Sequence, residues 1–195
     1  MYQPQLKPFR LFHFRRVCNS AKMRSDSMWC ILKCHPGKTE EVIKSCRRQI
    51  SHQILRDIFV FTSDRMKRYE GSWHMEKRQL FPDCIFVETT DPAALSEQLE
   101  PCRKFLQTSE EGGLLWAVPA DAEEFLKKLC GNEHHLCMSQ GYIRDGITHV
   151  IHGPLVGMER RIRKIDRHKR TANVEMPAGG LGTFLLAGLE ITSKS

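Results

Sequence analysis

Three groups of residues in this 195-residue chain have types and spacing that could do chemistry. The densest lies between Gly153 and Met176. There Arg160, Arg161, Arg163, Lys164, Arg167, Lys169 and Arg170 take seven of the eleven positions from 160 to 170, against one acid, Asp166. Positive charge concentrated on a turn suits phosphate backbones better than small substrates. The second group is Cys30 and Cys34 beside His35, a nucleophile and base in residue type. Both cysteines fall in an apolar run that reads as a buried strand, and no orienting acid or oxyanion site accompanies them, so no catalytic residue is assigned. The third is Cys130, His134, His135 and Cys137, all metal-ligand types. Their spacing is no recognised zinc pattern and no Cys-x-x-Cys pair occurs, so no metal or cofactor is assigned.

The elements around these groups follow from periodicity. Met28–Cys34 is an apolar run read as a central strand, with Cys30 and Cys34 on one face by parity. A helix starts near Thr39, its buried stripe Val42, Cys46 and Ile50 with Ile43 and Ile54. A strand region begins at Ile58–Phe61. Asp64–Leu80 reads as a charged hairpin with its tip near Glu70-Gly71-Ser72. Cys84–Val87 is apolar on both faces. Asp91-Pro92 opens a second helix, Leu114–Val118 is a strand, and Pro119-Ala120-Asp121 starts a third helix with Phe125, Leu126 and Leu129 inward. The order β-α-β-β-α-β-α is a ferredoxin-like split βαβ with one added helix.

Residues 131–147 are polar, contain three glycines and read as a linker. From Thr148 onward five short strands follow: Thr148–Ile151, Arg161–Ile165, Thr171–Met176, Thr183–Leu186 and Leu189–Ile191. With turns such as Pro177-Ala178-Gly179-Gly180 they suggest a small SH3-like β-barrel. The fold class is therefore α+β.

Charge is localised. The net charge is +7, but residues 1–27 carry +5 and residues 153–170 another +5, leaving −3 elsewhere. Residues 1–27 read as a disordered basic tail, or as the product of an upstream start codon, with a nucleic-acid-binding arm as the alternative. No stretch approaches the ~20 apolar residues of a membrane span, and no export signal is present, so the eight cysteines read as reduced residues of a cytoplasmic protein.

The C-terminal part resembles a KOW domain, whose signature is a Gly-rich turn, a strand and a basic turn. Gly153-Pro154 and Gly157 match; Arg160 stands where a third glycine is expected. Residues 28–130 resemble the NGN domain of the NusG transcription factors, through Trp29, Gly37-Lys38-Thr39-Glu40 and Leu80-Phe81-Pro82. Asp83 and Cys84 replace the usual Gly and aromatic. The resemblance covers about residues 28–191. It implies an NGN domain over 28–130, a linker over 131–147 and a KOW domain over 148–195. It further implies that the NGN domain binds the largest-subunit clamp helices of RNA polymerase through Trp29, Phe81, Pro82, Cys84 and Phe86.

The segment GPLVGMERRIRKIDRHKR is similar to the LoaP group of specialised antiterminators, and the Phe-Gly-Arg stretch of general NusG proteins is missing. This implies a bacterial, monomeric elongation factor whose basic turn reads nascent RNA, with other elongation factors as further partners. The alternatives are a general NusG factor coupled to Rho or the ribosome, a ribosome-associated KOW protein, and a thiol enzyme.

Overall fold

The computed structural model describes residues 27–108, 112–177 and 181–195. All but Ser27 of the basic tail lies outside the described residues, as do parts of the turns expected at 110–113 and 177–180.

The N-terminal half is built on a four-stranded antiparallel sheet. Its members are β1 (Met28–Lys33), β2 (Leu55–Phe59), β5 (Cys84–Thr89) and β6 (Trp116–Ala117), in the order β2-β5-β1-β6. Helices α1 (Thr39–Gln49) and α2 (Pro92–Gln98) connect them, giving a βαββαβ succession of split-βαβ type. Strand β1 is central, so both its faces are buried and it reads as a continuous apolar run. One face joins Cys30, Leu32 and Cys34 to Val42 and Cys46 of α1, Leu95 of α2, and Ile85 and Val87 of β5. The other joins Trp29 and Ile31 to Phe86 and to Phe125, Leu126 and Leu129 of α3 (Ala120–Cys130).

The helix signals act as local chemistry requires. Glu40 and Glu41 open α1, and Arg47 and Arg48 close it, complementing the helix dipole. Asp91 Oδ1 accepts from the Ala93 and Ala94 N–H groups at 3.1 and 3.0 Å, with Pro92 at the first helical position of α2. After Leu99 the chain tightens into a 3₁₀ turn, Glu100–Phe105.

The charged hairpin is β3 (Thr62–Tyr69) and β4 (Ser72–Gln79), joined by Glu70 and Gly71. Both turn residues have positive φ (51° and 76°), the backbone that two-residue hairpins need.

The segment expected to be a linker contains two strands. Strand β7 (His135–Leu136) adds to β3 in parallel. Strand β8 (Ser139–Arg144) pairs with β9 (Ile147–His152) through Asp145-Gly146, again both at positive φ. The Asp-Gly pair is a hairpin signal, hidden here by the polar residues around it.

The C-terminal half is a five-stranded arrangement, β10-β11-β12-β8-β9. Strands β10 (Ile162–Asp166), β11 (Thr171–Glu175) and β12 (Phe184–Lys194) follow a 3₁₀ turn at Glu159–Arg161. The two strands expected at 183–186 and 189–191 are one: Phe184–Gly188 pairs with β11, and the remainder pairs in parallel with β8. Gly188 lets the strand pass close to the hairpin, since a Cβ there would stand 2.9 Å from the Asp64 carbonyl oxygen.

The two halves share one core. Leu155, Ala172, Val174, Leu185 and Leu189 belong to the same buried cluster as Trp29, Phe86 and Phe125. At the seam, the Arg161 guanidinium lies 5.2 Å from the Phe125 ring centroid, and that of Arg170 lies 4.2 Å from Trp73. Arg65 donates to the Leu186 carbonyl oxygen. Among the described residues, no helix is long and apolar enough to cross a membrane.

Candidate functional site

The five apolar candidates do not share one surface. Trp29 is 2 % exposed, Phe81 5 % and Phe86 0 %, so these three lie in the core. Cys84 is half-buried and Pro82 exposed, at the entrance to β5. The buried rings belong to a larger aromatic layer that also holds Phe59, Phe61 and His134. Trp29 meets Phe59 edge-on at 5.2 Å between centroids, Phe61 meets Phe86 at 4.7 Å, and Phe81 lies 5.5 Å from Phe86. Edge-to-face packing of this kind adds about 0.5–1.5 kcal/mol per pair beyond area burial.

His134 stacks on Phe59 at 3.5 Å. Burial holds its imidazole below the usual histidine pKa, partly offset by Asp57, Glu133 and Glu88. The run Ile58-Phe59-Val60-Phe61 carries the signal for the two extra phenylalanines. His134 has none, because only the fold brings residues 133–137 back to the sheet. Helix α3 closes over this face: Lys127 Nζ lies 4.8 Å from the Trp29 ring and pairs with Glu123, whose Oε2 accepts from the Trp29 backbone N–H at 3.3 Å.

The glycines expected at the barrel turn are placed by steric need. Gly153 has φ 92°, and a Cβ there would fall 2.6 Å from the Met138 carbonyl oxygen and 2.7 Å from Ser139 Cα. Gly157 also takes a positive φ, 75°, and Pro154 is half-buried between them. The chain then folds Leu155 inward, where its N–H bonds Ser139 Oγ at 3.2 Å. Arg160 sits exposed in the following 3₁₀ turn and is not among the residues at positive φ. That position therefore imposes no demand for glycine.

The seven cations divide by what they touch. Arg161 and Arg170 are half-buried at the seam, Arg170 also pairing with Glu190 at 2.8 Å. Arg163 pairs with Glu175 across the β10–β11 ladder, and Lys169 stands 3.9 Å from Asp166, both at the surface. Arg160, Lys164 and Arg167 are exposed, and no ion pair to any of them is found among the described residues. Register slips between Ile162 and Lys164, so Arg163 and Lys164 both turn outward instead of alternating. Asp166 Oδ1 accepts from the Lys169 N–H at 3.0 Å and holds the turn that presents Arg167.

Cys30, Cys34 and Cys46 behave as core residues, whereas Cys84 is half-buried and Cys137 exposed. Burial pushes the Cys30 and Cys34 thiols up to about 12, as it does Cys46.

A split-βαβ half carrying a hairpin, packed on a small five-stranded half with a basic turn, defines a two-part α+β protein. The solved structure of Thermotoga maritima NusG, described for domain interaction in that protein, has a similar fold. The TM-score is 0.52 at 16% sequence identity, covering 85% of this chain and 94% of that one. No protein-family model and no curated protein sequence matches the chain.

Proposed function

We propose that the chain is a NusG-type transcription elongation factor of the antiterminating kind. The observation that carries this reading is the fold likeness to Thermotoga maritima NusG, which runs through both halves. In this reading the N-terminal half binds RNA polymerase at a helical surface of its largest subunit. The exposed Pro82 and half-buried Cys84 form the contact, with Phe81, Phe86 and Trp29 as a rigid floor beneath. An apolar rim over a packed aromatic layer suits a helix-in-groove mode. A factor held there favours the closed, elongating polymerase over paused states by its differential affinity for them.

The C-terminal half supplies the second contact, to nascent RNA. Arg160, Lys164 and Arg167 face solvent, and Arg163 and Lys169 hold only exposed pairs that phosphates can replace. Duplex RNA is recognised largely through phosphates, 2′-hydroxyls and shape, which such a cluster meets. Two contacts on one complex raise the effective concentration of each. The antiterminating assignment rests on the likeness of residues 153–170 to LoaP proteins and on the missing Phe-Gly-Arg stretch. A binding role without catalysis is supported by the raised Cys30 and Cys34 thiols, which stay protonated near neutrality. The factor acts in the bacterial cytoplasm, as a monomer and without an organic cofactor.

The test is transcription in vitro through a terminator, on templates with and without the cognate leader. Readthrough that rises only with the leader is expected. Unchanged elongation and termination on every template would overturn the reading, and increased Rho-dependent termination would assign the chain to the general NusG type instead.

A further inference from the structure

The fold assembles a group of ligand types that are far apart in sequence. Asp64 on β3, His135 on β7 and Cys137 just beyond it place a carboxylate oxygen, an imidazole nitrogen and a thiol sulfur within 4.8 Å of one another. The parallel pairing of Thr62 with His135 and of Ser63 with Leu136 creates this meeting. His135 Nε2 stands 3.0 Å from Asp64 Oδ1, and His135 Nδ1 stands 2.8 Å from Thr62 Oγ1.

We infer that Asp64, His135 and Cys137 bind a divalent zinc-like cation, leaving one coordination position open to solvent. The donor set of one oxygen, one nitrogen and one sulfur suits borderline Zn²⁺ over Mg²⁺ or Ca²⁺, which take oxygen ligands. Around a tetrahedral zinc, such donors stand about 3.4–3.6 Å apart. The group is therefore close to a ligating geometry. Its most distant member need only move inward, and Cys137, being exposed, is free to do so. Thr62 completes the arrangement: an Nδ1–H donated to its hydroxyl leaves the Nε2 lone pair for the ion, the usual outer support of a histidine ligand.

Position gives the site a consequence. Residues 131–138 join the two halves, and the Asp64 backbone carbonyl lies against Gly188 of β12 at the seam. An ion held by Asp64, His135 and Cys137 ties the connecting segment to the hairpin beside the place where the C-terminal half docks. This inference stands apart from the proposed function, since Asp64, His135 and Cys137 are not among the residues proposed to contact polymerase or RNA.

The experiment titrates the full chain with Co²⁺ and then Zn²⁺. One equivalent of Co²⁺ is expected to bind with a thiolate-to-cobalt charge-transfer band, displaced by one equivalent of Zn²⁺. Cys137→Ser should abolish the band, and Cys137 is exposed, so the variant keeps the fold. His135→Gln and Asp64→Asn should each weaken binding, and Thr62→Val should cost about 10–100-fold, as loss of an outer-shell partner does. Absence of the band in the wild-type chain overturns the inference. So does an unchanged band in Cys137→Ser with a wild-type circular-dichroism spectrum, which would place bound metal elsewhere.

Discussion

The aromatic layer beneath α3 and the basic stretch that runs through β10 hold their residues by opposite means. Trp29, Phe61, Phe81 and Phe86 are enclosed by one another and by α3, so their contacts contribute to folding. Arg160, Lys164 and Arg167 stand in solvent and have no carboxylate partner among the described residues. They add little to stability and remain available. The contrast teaches that a ring and a cation of equal prominence in the sequence answer different questions. The ring tells which face is covered, whereas the cation tells which face is left open. Arg161 and Arg170 cross this division, because the fold turns them onto Phe125 and Trp73.

Four variants test the contrast. Phe86→Ala should have the largest effect, a loss of about 3–5 kcal/mol, since it removes a fully buried ring. Urea denaturation measures it, and a loss below about 1 kcal/mol would move Phe86 from the core to a partner surface. Gly153→Ala should cost on the order of 1–3 kcal/mol through backbone strain and the clash with Met138 and Ser139. Thermal melting would show this, and a neutral result would mean that the turn relaxes.

Reversing Arg160, Lys164 and Arg167 together to Glu should change stability by less than about 0.5 kcal/mol. RNA affinity should fall sharply, and the logarithmic salt slope should shrink by about 2–3 if each cation meets one phosphate. Unchanged RNA affinity at physiological salt would remove the basic turn from the interface.

The smallest effect is expected at His134, and it depends on pH. Burial lowers its pKa in the folded state, so the unfolded chain takes up the proton first as pH falls. The stability is fully present above the ordinary histidine pKa and is lost as pH falls through that value toward the lowered one. His134→Gln should flatten this part of the stability–pH curve, read from denaturation midpoints. An unaltered curve would assign the dependence to another group.

Much of the N-terminal half was legible because its signals are local. Asp91-Pro92 caps a helix whatever surrounds it, and Gly71 turns a hairpin because glycine adopts positive φ without strain. The expected bounds at residues 39, 92 and 120 lie at the observed helix starts. The linker reading failed at residues 135–144 for the complementary reason. His135-Leu136 is too short to announce a strand and exists as one only because β3 offers it an edge. Strand β8 alternates weakly, and its partners in β12 lie about fifty residues away. The candidate surfaces divide likewise. The basic turn was visible as composition, and His134, His135 and Cys137 were visible as ligand types; that His134 enters the aromatic layer and that Asp64 joins His135 and Cys137 was not, since these residues meet only in three dimensions.

By itself the sequence determined which segments alternate, where helices start, which turns need glycine and where positive charge collects. Each of these depends on neighbours within a few positions, through backbone sterics and local hydrogen bonds. Tertiary structure alone decided that Trp29, Phe81 and Phe86 are enclosed while Pro82 is left outside. It also turned two of the seven cations inward at the seam and set a carboxylate, an imidazole and a thiol side by side. Burial and coordination depend on what arrives from elsewhere in the chain, and residue type alone does not specify that arrival.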